Sequence, residues 1–486
     1  MRGLLGHLRL RVPPTREAAD QSMGGQAALS TLGVVVQGVV RFVYSVLVGN
    51  TFGKLVLGAV NSGISLALFA SLLVPSATAM AASKHVARAR GAGDLEEGDR
   101  VAGYLGRLTL LAMAVLGVGA AVLAPPLLGL GVLESVLTGA LAVTYSGYVF
   151  VRGFLFGAGQ VVRATVWDVL SSVLALAGLA AVVLADTTAW LLLPLVLGYG
   201  AYCAVSWPRG RSGGVAPELR REIRGFVVLT LVNSVATGGF LQLTMVAAQF
   251  WDRTNAGSFA AALSLATPAS LVSRSLTLVL FPSLSAAHGR GDLVGARQRT
   301  DAATRGLVVL SLATFGPLML VSPLLIDLFY RRGGFDEAKL LLPVLLAAVL
   351  VTNVAAGAIN SLLSREHRYS RIVVTASIVG AVVGMTWWAL RAPSDGVAQV
   401  ATGFLVGSAV VGLWPVVAVW VLDRHAWSAL TLRFLVGCGV LAAAVWWQQS
   451  TDMSGLAQVG TAVGFVALWL AASAGDVRRL AAAARR

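Results

Sequence analysis

Fourteen apolar runs, each close to the length that crosses a lipid bilayer, constrain the fold of this 486-residue chain more than any other feature. Hydrophobic residues make up 57% of the sequence and charged residues only 12%, against about 25% charged in an average soluble domain. The sequence therefore predicts an all-α integral membrane protein with about fourteen transmembrane helices. The runs lie near 24–48, 56–82, 102–123, 134–157, 165–186, 188–206, 225–247, 255–281, 306–330, 338–361, 372–391, 397–422, 434–448 and 456–474.

The distribution of lysine and arginine predicts the orientation of these spans. The N-terminal segment, the loops after even-numbered spans with the adjoining span ends (Arg107 and Arg152) and the C-terminal tail hold 29 of the 37 basic residues. The loops after odd-numbered spans, counted with Lys339 at a span end, hold six. Because short basic loops are retained in the cytoplasm, this split predicts an even number of spans and cytoplasmic termini. The net charge of +15 is spread between apolar segments, which indicates membrane topology and no nucleic-acid partner.

A weak internal repeat predicts two lobes of the same orientation. The stretch from Gly58 to Leu95 runs parallel to the stretch from Gly257 to Leu293, at an offset of 199 residues at the start and 198 at the end. Repeats of this kind are related by an axis along the membrane normal. The predicted domains are a cytoplasmic segment 1–23, an N-lobe 24–206, a cytoplasmic linker 207–224, a C-lobe 225–422, an additional helix pair 423–474 and a basic cytoplasmic tail 475–486.

Two arginines lie inside predicted spans, where a charge costs about 2.5–3.5 kcal/mol and marks a functional site by default. Arg41 shares a helical face with Gln37 and Tyr44, and Arg274 shares one with Thr267 and Ser270. If these faces converge with polar residues of other spans, they line one central cavity. The other polar candidates are Asn61, Asn233, Asn353 and Asn360.

Two pairs of segments resemble a known family. They are VGNTFGKLVLGAVNSGISL (48–66) with SKHVARARGAGDL (83–95), and DRTNAGSFAAALSL (252–265) with LVLFPSLSAAHGRGDL (278–293). The sequence resembles polysaccharide flippases of the Wzx type, within the multidrug, oligosaccharidyl-lipid and polysaccharide exporter superfamily, over about 24–422. Lipid II flippases of that superfamily resemble each other through several arginines in the opening spans, and here only Arg41 occupies such a place.

The resemblance implies a transporter that flips a polyprenyl-(pyro)phosphate-linked oligosaccharide across the cytoplasmic membrane by alternating access, for cell-surface polysaccharide synthesis. Arg41 and Arg274 would bind the phosphate, since guanidinium offers a planar fork of donors. The alternative is a structural role, with both arginines reaching an interface or backbone carbonyls. Expected partners are the lipid-linked glycan, membrane lipids and a glycan polymerase or glycosyltransferase. The excess of arginine over lysine indicates a bacterial source.

Other functions receive less support from the sequence. The five histidines fall in predicted cytoplasmic segments without ligand spacing, and no Walker-type phosphate loop occurs, so we expect no enzyme, metal or cofactor. The acids Glu134, Asp168 and Asp327 fall near predicted helix ends, where interfacial placement is expected. The first two spans contain no carboxylate, which argues against a cation-coupled drug or metabolite exporter. That exporter, a lipid II flippase and a non-transporting scaffold remain the alternatives.

Overall fold

The computed structural model describes residues 23–208, 214–270, 280, 283–284, 287–288, 290–365, 367–451 and 453–478. Nearly all of these residues are helical, and no strand occurs among them. Ten of the helices are long and apolar enough to cross a membrane, and shorter apolar helices lie at Leu193–Ser206 and Ala256–Ala266. The prediction of an all-α integral membrane protein is confirmed.

The chain forms two compact units that divide between Arg253 and Thr254. In the first unit, five residues of π-helix (Val235–Gly239) separate the helix Pro217–Ser234 from the helix Phe240–Trp251 and thereby interrupt the seventh predicted span. This broken span packs on the helices Lys54–Leu72 and Val74–Gly91 of the same unit. The first unit contains α1 (Met23–Phe52), α2 (Lys54–Leu72), α3 (Val74–Gly91), α4 (Leu95–Leu128), α5 (Val132–Gly157), α6 (Val161–Leu184), α7 (Leu193–Ser206), α8 (Pro217–Ser234) and α9 (Phe240–Trp251).

The second unit contains seven described helices. A 3₁₀ turn at Thr267–Ser270 follows its first helix, and the long helix His367–Asp423 is interrupted at Gly396, whose φ is 58°. The two helices beyond the predicted C-lobe both pack on the helix Leu293–Leu320. The helices are α10 (Ala256–Ala266), α11 (Leu293–Leu320), α12 (Ser322–Phe329), α13 (Asp336–Leu363), α14 (His367–Asp423), α15 (Ser428–Ser450) and α16 (Gly455–Ala472). The lobe boundaries inferred from the repeat stay a prediction.

The two repeated loops adopt the same local geometry. Gly93 and Gly291 have φ values of 77° and 72°, in the left-handed region that suits glycine. The carboxylate of Asp94 accepts from the backbone N–H of Glu97, and that of Asp292 from the N–H of Gly295, each at 2.8 Å. Each aspartate therefore caps the helix that follows it.

One face of α4 exposes a continuous stripe of large apolar side chains. Leu111, Val115, Val118 and Val122 are each about two-thirds exposed and recur at helical spacing. Soluble proteins rarely expose so long an apolar face, whereas the hydrocarbon of a bilayer accommodates it. The stripe is therefore suited to contact with lipid.

Candidate functional site

A buried ion pair lies at the centre of a polar network in the first unit. Asp168 on α6 is fully buried, and its Oδ2 accepts from the Nε of Arg152 on α5 at 3.0 Å. Its Oδ1 accepts from the hydroxyl of Tyr148 at 3.0 Å. Because Tyr148 and Arg152 are four residues apart on α5, both present to the same side of that helix.

The expectation that Asp168 lies at a helix end near the interface is wrong. The helix α6 begins at Val161, four residues before the predicted span, so that Asp168 lies inside it. The compensating charge comes from Arg152, which lies near the end of the predicted span 134–157 and was counted with the basic residues of the loop that follows. Glu134 and Asp327 are near helix ends, as expected: Glu134 accepts from the N–H of Gly131 at the start of α5, and Asp327 pairs with Lys339.

Gln37 joins α1 to two other helices through its whole side-chain amide. Its Nε2 donates to the backbone oxygen of Asp168 at 3.3 Å and to the Oγ of Ser172 at 3.2 Å. Its Oε1 accepts from the hydroxyl of Tyr199 on α7 at 2.9 Å. The predicted polar face of α1 therefore points into the first unit, and Gln37 fixes it there.

Four tyrosines pack together beside this network and beneath Arg41. Tyr145, Tyr148, Tyr199 and Tyr202 have neighbouring ring centroids 4.9–5.5 Å apart. The guanidinium carbon of Arg41 lies 5.2 Å from the centroid of the Tyr145 ring, a cation–π contact. Among the described residues, no carboxylate pairs with Arg41, which is half-buried. Arg41 thus differs from Arg152, whose charge Asp168 balances.

Two other predicted residues of this unit are occupied by internal hydrogen bonds. Tyr44 is buried, and its hydroxyl donates to the backbone oxygen of Leu191. The Oδ1 of Asn61 accepts from Ser45 at 3.2 Å, and its Nδ2 donates to the backbone oxygen of Leu57 at 3.1 Å. Asn233 is half-buried on α8. Arg41 is therefore the predicted residue here with the most donor capacity left for a ligand.

The predicted residues of the second unit lie on two helical segments. Asn353 and Asn360, seven residues apart on α13, are buried, and the Nδ2 of Asn353 has no hydrogen-bond partner within the described chain. Thr267 is exposed and donates to the backbone oxygen of Leu263 at 2.7 Å. Arg274 and the side chain of Ser270 lie outside the described residues.

Sequence reasoning missed three members of the network in the first unit: Arg152, Tyr199 and Ser172. Two sequence signals could have identified Tyr199 and Ser172. Tyr199 and Tyr202 repeat the three-residue spacing of Tyr145 and Tyr148, and Ser172 follows Asp168 by one helical turn. Each pair lies on one helical face, which is typical of a packed polar seam between helices.

Two of the histidines in the predicted cytoplasmic segments are buried and do not lie in solvated loops. His85 on α3 and His425 after α14 are buried, at 2% and 6% exposure. Among the described residues, no group of three or more His, Cys, Asp or Glu side chains is arranged to hold a metal ion.

No family model matches this sequence, and no curated protein matches it. Solved structures do match its fold. A lipid II flippase, MurJ, in an inward closed conformation, has a TM-score of 0.68 at 14% identity, covering 93% of this chain and 99% of that chain. An inward-facing multidrug resistance transporter of the MATE family has a TM-score of 0.61 at 17% identity, covering 82% and 99%.

A third structure extends this comparison. A transporter of the MOP superfamily from Pyrococcus furiosus, described as having a binding pocket of reversed polarity, has a TM-score of 0.56 at 17% identity, covering 86% of this chain and 98% of that one. All three are transporters that match across at least four-fifths of this sequence. At these identities the likeness establishes architecture, and the protein has the fold of the membrane transporters of the MOP superfamily.

Proposed function

We propose that the protein flips a polyprenyl-(pyro)phosphate-linked oligosaccharide across the cytoplasmic membrane by alternating access, for cell-surface polysaccharide synthesis. The observation that carries the proposal is Arg41, a half-buried cation on α1 that contacts a tyrosine ring and has no carboxylate partner among the described residues. An uncompensated guanidinium within a span favours an anionic ligand, and its fork of donors matches phosphate oxygens.

The surroundings of Arg41 suit the sugar part of such a substrate. Tyr145, the half-buried tyrosine that Arg41 contacts, offers a flat apolar face with a polar edge, against which a sugar ring can stack while its hydroxyls form hydrogen bonds. Arg274 is proposed as the corresponding phosphate ligand of the second unit, with Asn353 and Asn360 as ligands for hydroxyls. In this proposal the termini lie in the cytoplasm, and a glycan polymerase or glycosyltransferase receives the product.

The ion pair at Asp168 argues against a cationic drug as substrate. A carboxylate that attracts organic cations must keep its charge uncompensated, whereas Asp168 is bound by Arg152 and Tyr148. Lipid II remains the second candidate, because the likeness to the lipid II flippase includes 93% of the chain. The same arginine chemistry would serve either lipid-linked saccharide.

The test is mass spectrometry of polyprenyl-linked lipids from cells with and without the protein. Accumulation of a pyrophosphate-linked oligosaccharide supports the proposal and identifies the glycan, whereas accumulation of the peptidoglycan precursor supports the second candidate. An unchanged lipid profile with altered drug sensitivity overturns both. An unchanged profile and unchanged drug sensitivity also contradict the proposal.

Variants of Arg41 connect the phenotype to the site. Arg41→Ala removes a charge-assisted bond of about 1.5–3 kcal/mol, so the flipping rate should fall about tenfold or more. The rate of Arg41→Lys should lie between those of wild type and Arg41→Ala. The matched control is Arg107→Ala, which removes an exposed arginine that donates to the backbone of its own helix. A scaffold protein would tolerate all of these substitutions.

A further inference from the structure

A cleft of about 630 Å³ lies in the second unit, where α11 begins and where a short turn connects α14 to α15. The distribution of basic residues predicts that both of these segments face the cytoplasm. The lining combines apolar residues at the rim with arginines, aspartates and a histidine further in.

The floor of the cleft is a buried ion network around Arg305. This arginine is 7% exposed and bonds Asp301 through Nε and Asp476 through Nη1, each at 2.9 Å. Its Nη2 donates to the backbone oxygen of Ala426 at 3.3 Å. Asp476 also pairs with Arg433 at 2.8 Å. Both aspartates of the floor are therefore compensated.

The remaining carboxylate of the lining is also compensated. Asp423 forms an ion pair with Arg365, and the Nε2 of His425 lies 3.5 Å from the same carboxylate. The His425 ring stacks on Trp427 at 4.3 Å between centroids, and the Nε1 of Trp427 donates to Asp301 at 2.7 Å. The aspartates thus hold the wall and floor in place, and they do not offer free negative charge.

Two arginines of the lining, Arg297 and Arg424, have no carboxylate partner within the described chain. The cleft lining and the residues that form ion pairs with it contain five arginines and three aspartates. Arg297 and Arg424 therefore account for the excess positive charge. The Nη2 of Arg297 donates to the backbone oxygen of Arg424 at 2.6 Å, which leaves its other N–H groups available.

The backbone at Arg424 is a second, independent observation. Its φ is 49°, in the left-handed region, and it ends α14 at the position where glycine is the usual residue. The N–H of His425 returns to the oxygen of Trp420 at 3.3 Å, as in a glycine-terminated helix. An arginine held in this strained conformation places its charge at the mouth of the cleft, and such strain is concentrated at ligand sites.

The rim of the cleft is apolar and exposed. Leu293 and Val294 are 68% and 69% exposed at the start of α11, and Leu422 is 46% exposed at the end of α14. Soluble anions require no such rim. A cationic cleft bordered by exposed apolar side chains at the ends of membrane spans matches the boundary between lipid headgroups and acyl chains.

We propose that this cleft binds the phosphate of an anionic phospholipid from the cytoplasmic leaflet. Arg297 and Arg424 contact the phosphate oxygens, and Leu293, Val294 and Leu422 contact the first methylenes of the acyl chains. The inference does not depend on the transported substrate, because the site lies in the second unit and uses none of the residues proposed to bind the glycan.

The test is native mass spectrometry of the full-length protein in detergent, titrated with phosphatidylglycerol or with phosphatidylcholine of the same acyl chains. Wild type should retain the anionic lipid in preference to the zwitterionic one. Each arginine near a membrane surface contributes about fivefold in affinity, so Arg297→Gln and Arg424→Gly should each reduce retention by about that factor.

The variants are chosen so that loss of folding cannot imitate loss of the site. Arg424→Gly removes the charge while relieving the left-handed backbone, so the protein should unfold at the same temperature or higher. Arg371→Gln removes an exposed arginine of the same unit outside the cleft and should leave retention unchanged.

Three results would overturn the proposal. Equal retention of both lipids would show that charge does not select the ligand, and unchanged retention in both cleft variants would place the lipid elsewhere. Complete displacement of the lipid by inorganic phosphate at the same concentration would show that the apolar rim contributes nothing and that the site takes a soluble anion.

Discussion

The Nε of Arg152 donates to the Oδ2 of Asp168 across 3.0 Å, linking α5 to α6 inside the first unit. Asp168 is fully buried, whereas the Arg152 side chain keeps 18% exposure. The surrounding helices accommodate the two charges because they are paired, since burying one unpaired charge costs far more free energy than burying the ion pair.

Neutralising one partner of this pair should therefore destabilise the protein strongly. We expect Asp168→Asn to lower the free energy of unfolding by about 3–5 kcal/mol, because Arg152 loses its counter-charge. Thermal unfolding in detergent measures the effect. The control is Glu222→Gln, which breaks an exposed pair with Arg88 at 3.4 Å and should cost less than about 1 kcal/mol. Equal losses in the two variants would contradict this assignment.

Two glycines on α1 give a sharper test of the same packing. A Cβ at Gly33 would collide with the Asp168 carboxylate and would lie 3.4 Å from Arg152, whereas a Cβ at Gly38 meets no atom within 4 Å. Gly33→Ala should lower the unfolding temperature. Gly38→Ala should raise it slightly, because alanine favours the helix over glycine by about 0.5–1 kcal/mol. The same assay decides, and a reversed order would show that α1 does not pack on α6 in this register.

His85 should make stability depend on pH. It lies outside the candidate spans, and burial lowers the pKa of its imidazole, with Lys84 and Arg88 acting in the same direction and Glu222 opposing them. Both ring nitrogens lack hydrogen-bond partners in the described chain, and the ring packs edge-on against Phe226 on α8 at 6.0 Å. Folding therefore favours the neutral form.

The direction of this pH effect follows from linkage. The unfolded chain binds the proton more readily, so the contribution of His85 is complete above its ordinary pKa of about 6.5 and is lost as the pH falls toward the lowered value. Unfolding temperatures at pH 8 and pH 5.5 should differ more in wild type than in His85→Leu. An identical pH dependence in the two proteins would exclude His85 as the cause.

The ion network beneath the cleft should attach the last helices to α11. Asp476, which follows α16 and is 2% exposed, bonds Arg305 on α11 and Arg433 on α15. Asp476→Asn should cost about 2 kcal/mol, because two charge-assisted bonds weaken while Arg305 keeps Asp301. Limited proteolysis at the turn after α14 should speed up together with the loss of stability. Unchanged proteolysis would show that other contacts hold this helix pair.

Much of the architecture was predictable because the bilayer imposes it. Span-length apolar runs indicated the all-α fold, which the structure confirms. The polar face of α1 was also predictable from spacing, since Gln37 and Arg41 are one turn apart. These features depend on neighbours in the sequence.

The pairings between helices could not be predicted from one sequence. Arg152 was counted with the charges of the following loop although it lies inside the predicted span, and nothing in the sequence connected it to Asp168. Asp168 resembled an interfacial acid until α6 was seen to begin at Val161. Tyr44 shares a helical face with Arg41, yet its hydroxyl meets a backbone oxygen in the turn before α7. Each outcome depends on a partner that sequence spacing does not bring near.

The matching caps at Asp94 and Asp292 align the two copies residue by residue at an offset of 198. Under that alignment Arg305 corresponds to Arg107, and Asp301 corresponds to Gly103, whose backbone oxygen is where exposed Arg107 donates. Arg297 corresponds to Asp99, of opposite sign. The two segments therefore share one arginine and differ in the charges around it, and the ion network that forms the floor of the cleft uses an aspartate found in the second segment alone.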